Sequence, residues 1–362
     1  MGEVRRNTSI VLLAVGHACV DIYQGAVAAL IPFFVAERDY TYAVASGLVL
    51  AASLLSSVAQ PLFGLLTDRW AMPWLLPVST LLGGVGIALS GLSGSYGLTL
   101  FFVAVSGIGV AAYHPESARV ARQASQGSHS AMGWFSLGGN IGFALAPLMV
   151  AAAIGHGSLH WTPVLVLPAL VGAALCVPVL RMLARPQTGT TKTQTPPSAD
   201  DVASFVKLSF AVVFRSVVFT GLSTFISLYA EQRMQGSPTA GTVALFLLFL
   251  GGAVGSVLGG SLVGRYDRVR VSRWSYLLSV AAVTGVIYTP GLGHVPLRGP
   301  HLRCSLYVPF SLQVTLGQDY LPSRIGTASG ITLGLTVSIG GLISPLLGHL
   351  ADTTTLQTAL TP

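Results

Sequence analysis

The chain has 362 residues, of which 52% are hydrophobic and only 9% charged, with a net charge of +7. Soluble domains carry about a quarter charged residues, so a water-soluble fold is excluded. The positive balance is therefore read for membrane orientation, not for nucleic acid. Apolar runs of about 18–25 residues recur along the whole length, each long enough to cross a bilayer. The short alternating segments of a β-barrel are missing, so the fold class is an all-α polytopic membrane protein. Cys19, Cys176 and Cys304 form neither a disulfide framework nor a zinc spacing. No H-E-x-x-H or comparable ligand spacing occurs, so no metal is expected.

After a short basic start, the first span is expected over Ser9–Ala36. It is too long for a secretory signal and carries Asp21 near its middle. His17, Asp21, Gln24 and Ala28 fall on one helix face. Lipid does not solvate such a face, so it must look into the bundle or a wet cavity. Asp21 is then either a protonatable site in a transport path or a carboxylate buried for packing alone. Glu37-Arg38-Asp39 reads as a short outer loop and Ala43–Leu66 as the second span. Gly64 to Arg69 reads as a tight cytosolic turn before a third span from Trp74 to about Gly94. There Asp68 would start helix three, where the dipole favours a negative charge, and Arg69 would pair with a neighbouring carboxylate. Its pattern G-x-x-x-D-R resembles the loop signature of the major facilitator superfamily; an ordinary charged turn is the alternative.

Leu98 to about Arg119 is the fourth span, and its end carries Tyr113-His114-Pro115-Glu116-Ser117-Ala118-Arg119. Pro115 removes a backbone donor and predicts a kink or an early helix end. His114 and Glu116 cannot face the same way, whereas Glu116 and Arg119 are spaced to pair. That pair is either structural or part of the transport path. The fifth span, about Met132–Ile154, presents Gly138, Gly142 and Ala146 as a groove for close helix contact. Asn140 adds a polar group there, to contact substrate or to glue helices. The sixth span is about Trp161–Leu183.

His17, Asp21 and Gln24 in span one, G-L-L-T-D-R and M-P-W before span three, Y-H-P-E-S-A-R-V-A-R closing span four, and G-G-N-I-G with A-P-L in span five occur together in this order. The combination resembles the fosmidomycin-resistance family of major facilitator transporters. The resemblance implies two six-helix halves and proton-coupled export of a small drug or metabolite across a bacterial inner membrane. No cofactor beyond the proton gradient is expected; the expected partners are a small-molecule substrate, protons and lipid, with the chain as a monomer.

The halves are expected at 1–183 and 205–362, joined by a polar cytosolic linker at 184–204. Arg215 lies inside the seventh span, about Phe205–Tyr229, and needs an anionic partner or ligand. Fosmidomycin is a phosphonate, and arginine suits such groups. After an eighth span at about Thr242–Val263, Gly259–Arg268 repeats the Gly64–Arg69 pattern, as internal repeats predict. Gly264 stands where the family's second copy usually has an aspartate, and Asp267 is the nearby substitute. Ser275–Thr289 and Leu306–Leu316 are short for spans nine and ten, and the Pro-, Gly- and His-rich stretch 290–304 between them is either a real loop or the mark of a reading-frame slip. Gln318–Gly326 echoes the end of span four and leads into span eleven, about Ile325–Leu350. A twelfth span is absent, as expected of a truncated chain.

Lys and Arg cluster on one side if the N terminus is cytosolic, as the positive-inside rule predicts. The expected mechanism is alternating access, with Asp21 taking up the proton, His17 tuning it, and Gly64, Asp68 and Arg69 gating the cytosolic side. A facilitator importing a polar nutrient shares this fold. A non-transporting membrane sensor or enzyme is the other rival; its mark, a soluble catalytic or signalling domain, is missing.

Overall fold

The computed structural model describes residues 2–125, 129–155, 157–183, 199–263, 265–288 and 307–361. Within them the chain is helical. In lipid a backbone must satisfy its own polar groups, which leaves helices as the spanning element for this composition. The first half comprises α1 (Gly2–Arg38), α2 (Tyr42–Arg69), α3 (Leu75–Ser90), α4 (Tyr96–Ser125), α5 (His129–Ile154), a 3-10 turn at Leu159–Val166 and α6 (Leu167–Leu183). The second comprises α7 (Val202–Arg233), α8 (Pro238–Val263), α9 (Arg268–Tyr288), α10 (Val308–Tyr320), a 3-10 turn at Pro322–Arg324, α11 (Ile325–Thr353) and α12 (Leu356–Leu360). Among the described residues, seven helical segments are long and apolar enough to cross a membrane. The stretch 184–198, Gly264 and the segment 290–304 lie outside the described residues.

α1 is the most buried of these segments. It packs on α5, α6 and α4, and Val20, Tyr23, Leu30 and Ile31 are fully enclosed. The glycine groove expected on α5 is what brings α1 close. A methyl group on Gly138 would lie 2.1 Å from the Ala14 carbonyl oxygen, and one on Gly142 would lie 2.2 Å from that of Ala18. The halves meet where α2 lies against α11 and α5 against α8. Phe143 and Phe249 stack edge-on across the second contact, at 5.3 Å between ring centres.

At the end of the bundle away from the N terminus, hydrogen bonds join the halves. The first backbone amides of α2, on Tyr42 and Ala43, donate to the two Asp352 carboxylate oxygens at 2.8 and 2.9 Å. A carboxylate suits the positive end of a helix and supplies acceptors the first turn lacks. Gln232 Nε2 donates to the Tyr42 hydroxyl at 2.9 Å beside it.

Three expectations need correction. Gly64 to Arg69 is not a turn but the last part of α2, which ends only at Trp70, whose amide donates to the Leu66 carbonyl at 2.8 Å. Trp70 leaves the helical conformation for an extended one, three residues before Pro73, and Arg69 suits the negative end of α2. Asp68 is therefore at the end of α2 and not the start of α3; its side chain lies outside what the structure describes. Second, Pro115 does not end α4, which runs on to Ser125. Third, α9 is longer than its apolar run, because Asp267 Oδ2 accepts from the Val269 and Arg270 amides at 3.0 Å each and starts the helix at Arg268.

Candidate functional site

A cavity of about 360 Å³ lies between the halves. α1 contributes His17, Asp21 and Gln24, α4 His114, and α5 Asn140, while Arg215 faces them from α7. Six of the residues singled out from sequence thus line one space.

Its first-half wall is built around Asp21. The i, i+4 spacing on α1 places His17 Nε2 3.3 Å from Asp21 Oδ2. α4 brings His114 Nε2 to 3.1 Å from Asp21 Oδ1. The far nitrogens of both rings are anchored to backbone. His17 Nδ1 donates to the Phe135 carbonyl at 3.0 Å, and His114 Nδ1 donates to the Val110 carbonyl at 2.7 Å. The His17 ring also stacks on Phe135, with 4.4 Å between ring centres. His17 and Asp21 are 8% and 6% exposed.

Those anchors decide the chemistry. A carbonyl only accepts, so each Nδ1 carries a hydrogen, and each Nε2 faces the carboxylate as either a bare lone pair or an imidazolium N–H. Two bare lone pairs against an ionised carboxylate repel. The cluster is stable when a cation, the simplest being a proton, sits among these atoms. Its space comes from Gly139. A methyl group there would lie 2.4 Å from Asp21 Oδ2 and 2.7 Å from His17 Cε1.

The second-half wall has a different character. Arg215 is buried, and its Nε donates to Gln313 Oε1 at 3.1 Å. The Gln313 amide donates in turn to the Tyr276 hydroxyl; both stand behind the wall, which Arg215 and Tyr307 line. Asn140 Nδ2 donates to the Ser136 carbonyl at 3.3 Å, within its own helix, while its side chain borders the cavity.

Other expected residues are elsewhere. Glu116 and Arg119 do not line the cavity. They form a two-pronged ion pair along α4, with Arg119 Nε donating to Glu116 Oε2 at 2.9 Å and the other nitrogen to Oε1. The pairing is the one that their i, i+3 spacing predicted. Gly64 and Arg69 lie at the end of α2, also outside the cavity wall, with the Arg69 guanidinium 4.9 Å above the Trp70 ring. Sequence reasoning missed Gly139, Gln313 and Tyr276. Gln313 did carry a signal, as a lone amide inside the apolar run Leu306–Leu316.

The model of the Major Facilitator Superfamily matches residues 13–345. The "Fosmidomycin resistance protein" of Escherichia coli (strain K12) is 30% identical over 355 residues, covering 95% of this chain and 86% of that one. An "Uncharacterized MFS-type transporter YfnC" of Bacillus subtilis (strain 168) is 28% identical over 95% of this chain and 86% of its own. In three dimensions the chain is similar to a bacterial homologue of the human lysosomal transporter Spinster, with a TM-score of 0.77 at 16% identity, over 96% of this chain and 82% of that one. It is also similar to the nucleoside transporter NupG, with a TM-score of 0.70 at 13% identity, over 98% of this chain and 95% of that one. The likenesses to solved structures carry the two-half fold, and the family match and the 30% identity carry the lineage. The chain belongs to the Major Facilitator Superfamily, as a multi-pass membrane transporter of the fosmidomycin-resistance family and not an enzyme.

Proposed function

We propose that this transporter exports a small molecule in exchange for protons by alternating access. The observation that carries the reading is the His17–Asp21–His114 cluster on the wall of the cavity between the halves. It needs a cation, and in a membrane cavity a proton is one it can take up and release. Asp21 is the coupling group, and the titratable groups facing it are His17 on α1 and Tyr113 and His114 on α4, with Arg215 across the cavity on α7.

The cargo is a small anionic drug or metabolite of the kind fosmidomycin represents. Support comes from the relative named for resistance to that phosphonate and from the guanidinium of Arg215 on the cavity wall. The Asp352 cap joins the halves at the end away from the N terminus, which suits a state closed on that side. With the N terminus in the cytosol of a bacterial inner membrane, that state faces inward. The chain works as a monomer.

The test is transport in everted membrane vesicles under an imposed pH gradient. Wild-type protein accumulates a labelled phosphonate and discharges the gradient in doing so. Asp21→Asn is expected to insert normally and lose both activities. Gradient-driven accumulation by Asp21→Asn would remove the coupling role, and accumulation with no proton movement would turn the reading to a facilitator.

A further inference from the structure

We propose that His17, Asp21 and His114 also form a binding site for a first-row divalent metal ion, with Zn²⁺ the best fit. The three ligand atoms, Nε2 of each histidine and a carboxylate oxygen, lie within 4.8 Å of one another. A tetrahedral zinc holds its nitrogen and oxygen ligands at about 2.0–2.1 Å, which sets neighbouring ligand atoms about 3.3–3.4 Å apart. Here the carboxylate bridges the two rings, with Oδ2 3.3 Å from His17 Nε2 and Oδ1 3.1 Å from His114 Nε2, so an ion would draw the three ligand atoms together from within 4.8 Å.

The polar accounting agrees with the distances. His17 Nε2 and Asp21 Oδ1 are buried and have no hydrogen-bond partner, although each has a polar neighbour close by. Two buried acceptor atoms left in this state beside the His114 nitrogen are what a metal ion would satisfy. Both imidazoles also carry the arrangement that metal-binding histidines use. Each Nδ1–H is tied to a backbone carbonyl, Phe135 for one and Val110 for the other, which fixes the ring and turns the Nε2 lone pair inward. Gly139 leaves the space open where any side chain would close it.

The donor set selects the ion. Two imidazoles with one carboxylate suit zinc and its neighbours; magnesium and calcium prefer oxygen alone, and copper(I) prefers sulfur. All three residues border the cavity, which gives an ion its route to them. The sequence pattern conceals the set because two ligands share a turn of α1 and the third arrives on α4.

The experiment is equilibrium metal binding by the purified full-length chain in lipid nanodiscs. Zn²⁺ is titrated against a chromophoric chelator, and Co²⁺ is added as a spectroscopic stand-in. One ion per chain is expected, with the strong visible bands of a low-coordinate nitrogen and oxygen site. His17→Gln and His114→Gln should each weaken binding by at least about tenfold, as loss of even an outer partner does. His160→Gln and His349→Gln, at exposed positions, should leave binding unchanged. Binding that survives both cavity substitutions, or that disappears with an exposed histidine, would overturn the site. Should the cavity variants fail to fold, a wild-type Co²⁺ spectrum lacking those bands would overturn it instead.

One consequence rests on the proton-exchange reading above: bound zinc occupies the same lone pairs and slows export. Zinc bound with export at full rate would sink that reading and leave the metal site standing. Proton-driven export by a chain that binds no zinc would do the reverse.

Discussion

The two walls of the cavity solve opposite problems with charge. On the first-half wall, Asp21 is flanked by two imidazoles, side chains that exist in a neutral and a cationic form. On the second-half wall, Arg215 keeps its charge at any physiological pH and is steadied by the neutral amide of Gln313. One wall presents groups that can take up and release a cation, and the other carries a fixed one. The difference suits a division of labour, with the coupling ion on α1 and α4 and an anionic cargo anchored on α7.

The largest expected effect comes from emptying the first wall. Asp21→Asn should reduce gradient-driven export to background, while Arg215→Lys should keep coupling and lose cargo affinity. If both variants fail in the same way, measured as proton movement and cargo movement in one vesicle assay, the walls do not differ in role. Next, Gly139→Val places carbon where Asp21 Oδ2 and the His17 ring now sit. It should cost about 1–3 kcal/mol of stability by overpacking, read as a lowered Tm, and should also abolish export. Export at the wild-type rate would show that the cluster tolerates displacement.

The second wall is sharpened by Gln313→Leu. Removing a hydrogen bond to a charged group costs about 1.5–3 kcal/mol, so an anionic cargo should bind about ten- to a hundredfold more weakly if Gln313 aims Arg215 at it. Proton release per cargo should not change. Unchanged affinity in a cargo-binding titration would make Gln313 a packing residue only. The smallest effect concerns neither wall but the junction of the halves. Asp352→Asn leaves one of the Tyr42 and Ala43 amides without its acceptor. That should cost about 0.5–1.5 kcal/mol and raise the population open at this end severalfold. Spin-label distances between α2 and α11 would report it; an unaltered distribution would show that other contacts hold this end.

Much of the site was legible in the residues themselves. His17 and Asp21 lie four apart on α1, and helical periodicity alone puts them on one face. Gly138 and Gly142 announced a close helix crossing, and the crossing is there. Other readings failed where local signals mislead. Gly64 to Arg69 looked like a turn because it holds glycine and charge, but a helix entering the polar interface carries charge in its last turn at little cost. The pairing of Glu116 with Arg119, by contrast, followed from their i, i+3 spacing, and the pair is there along α4.

What the sequence determined by itself is the class: apolar runs of bilayer length with few charges leave only a helical membrane bundle, because lipid offers a backbone no other partner. It also determined which helix faces are polar, since that follows from spacing along one element. Only the tertiary structure decided which faces meet. His114 reaches Asp21 across a helix boundary, Gln313 reaches Arg215 from a helix far along the chain, and Asp352 caps a helix of the other half. Such contacts depend on how helices pack, and no periodicity within a single helix records its neighbour.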